Sequence, residues 1–237
     1  MLATAPRPYP ETHPVQGGSR RRKPRRRLPP EVLTDAEVRA LMNACGHSAT
    51  GLRNRALIAL LYRSGLRIHE ALELRPKDLD LAAGAVRVLW GKGGSSRVSG
   101  LDGGAAAIVA RWLDVRACHG ATGLAPVFCT LRGRRLTEAY VRVLLPRLAR
   151  RASIEKRVHA HGLRHTHAAQ LRTEGLDIGL ISKQLGHRSI ATTARYLDHI
   201  APVAVVEAIG ARVWGDERLK AQRGSTSCRR GSPRSDD

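Results

Sequence analysis

Between Thr34 and Trp214 the chain divides into short periodic segments set off by glycine and proline, the pattern of a mainly helical organisation with one small sheet. Within those segments the apolar residues recur mostly at helical spacing. Thr34-Asp-Ala-Glu37 has capping-box spacing, and Val38, Leu41, Met42 and Cys45 follow at i, i+3, i+4 and i+7, which predicts a helix start at Thr34. A second helix is expected over Leu52 to Arg63, stopped at Gly65, and a third over Arg67 to Leu74, closed by Pro76. Ala85 to Trp90 and Arg97 to Leu101 are short and β-prone on either side of Gly91 to Ser96, the pattern of a hairpin with Lys92 in its turn. Helices are expected again at Gly103 to Arg116, Glu138 to Arg151, His161 to Glu174, Ile178 to Leu185, Thr192 to His199 and Val203 to Trp214, with a kink at Pro146. The fold class that follows is α+β, mainly α-helical with a small antiparallel β-sheet.

The ends of the chain have another character. Residues 1–30 combine seven prolines, two glycines and the run Arg20, Arg21, Arg22, Lys23, Arg25, Arg26 and Arg27. Such a stretch cannot bury enough surface to fold and is expected to be a disordered basic arm. Residues 215–237 are expected to be a disordered polar tail, which leaves 31–214 as the folded domain. The net charge is +21. The arm carries +7 of it and the tail +2, so +12 falls on residues 31–214. An excess of that size within the folded part implies a polyanionic partner, and double-stranded DNA fits best. No apolar run approaches the roughly 20 residues that span a bilayer, the longest being Ala56 to Tyr62. Met1 to Gly18 lacks the apolar core of a signal peptide, so cytoplasmic residence without a membrane partner is expected. Cys45, Cys118, Cys129 and Cys228 form no CxxC pair, which argues against a disulfide framework or a cysteine zinc site.

The chemistry concentrates in His161-Gly-Leu-Arg164-His165, Leu185-Gly-His187 and Ala194-Arg-Tyr196. Phosphoryl transfer at DNA needs a nucleophile, cations around the phosphorane oxygens and an acid for the leaving 5′ oxygen. Metal coordination would ordinarily enlist carboxylates. Residues 156–173 have none, but they hold four histidines and three arginines, which must then stabilise charge themselves. His159, His161, His165 and His167 have spacings that can converge on a metal, yet Arg164 would set a cation beside the ion; no metal or cofactor is expected. A lone tyrosine such as Tyr196 is ordinarily a core residue. Its phenol, with a reference pKa of about 10, is also a nucleophile that nearby cations can activate.

These motifs resemble the tyrosine recombinase, or phage integrase, family, including Xer-type recombinases. Ser64-Gly-Leu-Arg67-Ile-His-Glu70 looks like that family's first catalytic-arginine motif, and Gly91-Lys92-Gly93 like its lysine hairpin. The resemblance covers about residues 33–214, with five motifs in order. It implies that Arg67 and Arg164 clamp the scissile phosphate, that His161 and His187 hydrogen-bond its oxygens or shuttle protons, that Lys92 is the general acid and Tyr196 the nucleophile. Glu70 is then expected to orient an arginine, His165 to support the site, and Arg97 with the arm's basic residues to bind DNA. Two departures stand out. Ser95, Ser96 and Gly100 lie where relatives often have a basic residue and a proline, and the arm occupies the place of their N-terminal helical DNA-binding domain. The activity implied is site-specific strand cleavage and rejoining through a 3′-phosphotyrosyl intermediate, by paired copies or a related recombinase on DNA. The helix at Val203 to Trp214 would pack on its own domain or on a neighbouring protomer. The alternatives are type IB topoisomerase-like relaxation and a degenerate integrase that regulates by binding DNA.

Overall fold

The computed structural model describes residues 31–89, 96–121, 123–187, 189–197 and 210. The arm, Lys92 and its turn, the helix expected at Val203 to Trp214 and the tail lie outside the described residues.

Helix α1 (Asp35–Asn43) starts on the capping box, with Thr34 accepting from the Glu37 amide and Glu37 accepting from the Thr34 amide. Helix α2 (Ala49–Ser64) begins three residues before the expected Leu52, because Ser48 Oγ accepts from the Gly51 amide at 3.1 Å and caps an earlier turn. It is buried almost all round, as suits the central helix of a bundle. Its polar members are satisfied inside: Arg53 donates to Tyr140 Oη at 2.6 Å, Asn54 Oδ1 at 2.9 Å and the Cys129 carbonyl at 3.3 Å. Helices α4 (Gly103–Cys118) and α6 (Ala160–Thr173) pack along α2, while α3 (Ile68–Glu73) leaves it through a glycine corner.

The sheet is antiparallel with strand order β1 (Leu79–Asp80), β2 (Ala85–Val88), β3 (Arg97–Gly100), and its register sets Val86 opposite Ser99 and Val88 opposite Arg97. β1 was not expected; two residues are too short to show strand alternation. Nor was the inward turn of Val127, Phe128 and Cys129, all fully buried, where Trp112 Nε1 donates to the Val127 carbonyl at 2.8 Å. Helix α5 (Glu138–Arg151) runs through Pro146, whose ring faces outward. Helices α7 (Ile178–Leu185) and α8 (Ile190–Leu197) close a second, small core of Ala168, Ile181, Leu185 and Leu197 beside α6. Cys45, Cys118 and Cys129 are free thiols, and burial pushes Cys45 up to about 11.

Candidate active site

Two helix ends frame the site. α2 stops at Gly65 (φ 64°) and α7 at Gly186 (φ 65°), both left-handed. A Cβ at Gly65 would lie 2.7 Å from the His167 ring and 2.8 Å from Leu185, and one at Gly186 would lie 2.5 to 2.6 Å from the Arg97 side chain. Glycine is therefore required twice over, for conformation and for space. The freed carbonyls converge on Arg164, which is 2% exposed: Nη1 donates to Gly65 O and Nη2 to Leu185 O. The negative ends of two helices thus help to hold a buried guanidinium that α6 supplies.

Arg67 stands immediately before α3, and Glu70 one turn on gathers it. Glu70 accepts from the Arg67 amide and from Arg67 Nη1, each at 2.9 Å, and also takes both terminal nitrogens of Arg97 at 2.9 and 2.8 Å. Burial alone would raise the Glu70 pKa, but the bonds from Arg97 and Arg67 and their charges hold it down to about 2. It is a permanent anion between two cations, fitted to orient them and unfitted to supply a proton. Arg67 keeps its side chain 28% exposed, with Nη2 3.5 Å from the Gly186 carbonyl.

Two histidines here, His161 and His187, are pushed toward the neutral form. His161 and His165 meet edge to face with ring centroids 4.6 Å apart. Burial, then the charges of Arg164, His159 and Arg67, lowers the His161 pKa. His187 follows the α7 glycine and pairs its Nδ1 with Thr193 Oγ1 on α8 at 2.8 Å. Burial, then Arg164, Arg67, Arg97 and His161, brings it to about 4. The structure therefore brings together Arg67, Glu70, Arg97, His161, Arg164, His165 and His187. Tyr196 lies on α8, which packs on α6 and α7 and begins three residues beyond His187. Arg97, expected at DNA, is engaged by Glu70. Among the described residues no three His, Cys, Asp or Glu side chains gather where a metal could sit. The sequence reading passed over Thr193, Ser99 and Gln184; Thr193 bonds across a helix boundary to His187 six residues earlier, and the partners of Ser99 and Gln184 are distant in the chain, so none leaves a local pattern.

Residues 31–201 match the phage integrase family. The chain belongs to that family. Among phage integrase relatives, it is 38% identical over 175 residues to tyrosine recombinase XerD of Ralstonia nicotianae, covering 73% of this chain and 56% of that one. It is 40% identical over 171 residues to the type 1 fimbriae regulatory protein FimE of Escherichia coli K12, covering 69% and 83%. The fold is shared with the XerA recombinase (TM-score 0.64, 26% identity, 85% of this chain and 66% of that one). It is shared also with XerH bound to a palindromic difH substrate in a post-cleavage complex (TM-score 0.64, 29% identity, 78% and 54%). The chain spans 56% of the length of the XerD relative.

Proposed function

We propose that this integrase-family chain is a site-specific recombinase that cleaves and rejoins DNA strands without metal or ATP. The observation that carries the reading is the convergence of Arg67 and Arg164 with two neutral histidines, His161 and His187, beside the helix that bears Tyr196. In the proposed reaction the Tyr196 oxygen attacks the scissile phosphorus. A 3′-phosphotyrosyl bond forms as the phosphorus–5′ oxygen bond breaks, and Lys92 protonates the departing 5′ oxygen. Arg67 and Arg164 balance the charge that builds on the non-bridging oxygens. His161 and His187, uncharged near neutral pH, donate to those oxygens or carry the phenol proton. Glu70 and His165 hold this set in place, and Arg97 joins it through Glu70. Religation is the reverse step, with a 5′ hydroxyl from a second duplex as nucleophile, so two or more protomers act together on double-stranded DNA. The arm's arginines add phosphate contacts, and the reaction belongs in the cytoplasm, where DNA is at hand.

The test is covalent capture. The full chain is incubated with a library of nicked duplexes of randomised arm sequence, from which the cleaved 5′ fragment diffuses away. The expected result is an SDS-stable protein–DNA adduct that withstands EDTA and is lost in Tyr196→Phe. An adduct that EDTA abolishes, or that Tyr196→Phe still forms, overturns the mechanism.

A further inference from the structure

β3 is an edge strand, and Gln184 covers that edge. Along a strand, successive residues turn their amide and carbonyl groups to opposite sides. The Leu101 amide donates inward to Gly84 O at 2.8 Å, so Gly100 faces away from the sheet. There it meets the side chain of Gln184 in the last turn of α7. The Gly100 amide donates to Gln184 Oε1 at 2.8 Å, and Gln184 Nε2 donates to the Gly100 carbonyl at 2.9 Å. One primary amide thus exchanges both bonds that a neighbouring strand would exchange. The same Nε2 lies 3.3 Å from Ser64 O, at the end of α2, where Ser99 Oγ also donates at 2.8 Å. A glutamine held at this many points gives up its side-chain freedom, which solvation alone would not repay.

What it joins gives the contact its meaning. β3 begins five residues after Lys92, and Gln184 stands three residues before His187. At its other end the strand is fixed by Arg97 to Glu70, and through Glu70 to Arg67. We infer that Gln184 is a positioning residue: it clamps β3 and the end of α2 to the C-terminus of α7, so that β3, Arg67 and His187 keep one mutual arrangement. This inference rests on the recombinase reading.

The experiment uses the full chain and the captured suicide duplex. Single-turnover adduct formation, DNA affinity by fluorescence anisotropy and hydrogen exchange at the Gly100 amide are measured for the parent, Gln184→Leu and Gln184→Glu. In Gln184→Leu the adduct rate is expected to fall about tenfold or more, the scale of a small misplacement of reacting groups, with affinity within about twofold and faster exchange at Gly100. Gln184→Glu keeps the acceptor but, ionised above about pH 5.5 as a carboxyl of ordinary pKa about 4.3 is, it cannot donate to the Gly100 carbonyl, so its rate is expected to fall with affinity kept. The inference is overturned if Gln184→Leu cleaves like the parent, or if rate and affinity fall by the same factor. Should Gln184→Leu not fold, a Gln184→Glu variant that cleaves like the parent overturns it, and one slowed with affinity kept supports it. Absence of adduct from the parent itself would sink the recombinase reading, and exchange at Gly100 would then still decide whether the clamp exists.

Discussion

At the scale of single residues, Glu70 shows how one buried anion organises two cations that would otherwise repel. Its side chain is fully buried and takes four hydrogen bonds from Arg67 and Arg97, so removing the charge leaves two guanidinium groups facing a neutral amide. Glu70→Gln is expected to lower the cleavage rate on the captured duplex at least about tenfold. Its pH profile should keep the parent's shape, since a group already ionised down to about 2 takes no part in proton transfer. A profile that gains or loses a limb would show Glu70 to be an acid or base. Gly186→Ala tests the same corner from the other side. Its φ of 65° costs about 1–2 kcal/mol for a residue with a Cβ, and that Cβ would displace Arg97. A lower urea midpoint together with slower cleavage is expected, and a midpoint like the parent's would contradict the corner described here. Arg67, Arg164, His187 and the αL glycines were legible in the sequence because each sits in a short local motif with a fixed offset. Gln184 and Ser99 were not, because what they bind is 35 to 120 residues away and is backbone, which any sequence supplies equally well.

At the scale of elements, local signals were good where a cap and an apolar stripe agreed. α1 was readable from Thr34 and Glu37 alone, and the structure forms both bonds of the box. Thr34→Ala is expected to cost about 1 kcal/mol, read as a drop in the urea midpoint with an unchanged m-value. No change would mean that Leu33, whose amide donates to Thr166 Oγ1 at 3.1 Å, anchors this end of the chain by itself. α2 was misjudged at its start because its first turn, Ala49 to Gly51, carries no apolar stripe and is marked only by the Ser48 cap. The sheet was underestimated because two-residue β1 owes its existence to β2 rather than to its own sequence. Pro146 was expected to kink α5, and the helix runs continuously from Glu138 to Arg151 through it. The proline lacks the amide that would bond back to Arg142 and lies on the exposed side, so it contributes no buried contact that alanine would lose. Pro146→Ala is therefore expected to stabilise the chain, by up to about 3 kcal/mol before the greater freedom of the unfolded alanine chain is counted. A destabilised Pro146→Ala would show that the proline shapes α5 for a contact.

At the scale of the whole molecule, a chain with net charge +21 gathers neutral histidines within a cluster of arginines, and this links folding, pH and DNA. Burial and neighbouring cations hold His167 and His187 at about 4 and lower His159 and His161. In the unfolded chain these rings take up protons near their ordinary value of about 6.5. Between the two values the unfolded state binds more protons than the native state, so stability rises with pH across that window. The contribution is complete above about 6.5 and is lost as pH falls toward 4, each histidine adding up to about 1.4 kcal/mol per pH unit to the slope. Glu70 acts only below this range, since its carboxylate is held ionised down to about 2. Urea unfolding at a series of pH values should therefore show a steep loss of stability on acidification, and His167→Gln should reduce the slope by about one proton. A phosphate placed between Arg67 and Arg164 would offset the cations that depress His187 and raise its pKa. Tyr196→Phe, bound to the captured duplex near pH 5, is accordingly expected to take up a proton that the free protein does not hold. Titration calorimetry in buffers of different ionisation enthalpy measures that uptake directly. If no proton is bound on complex formation, the phosphate does not sit beside His187, and the arrangement of cations proposed for catalysis is wrong at its centre.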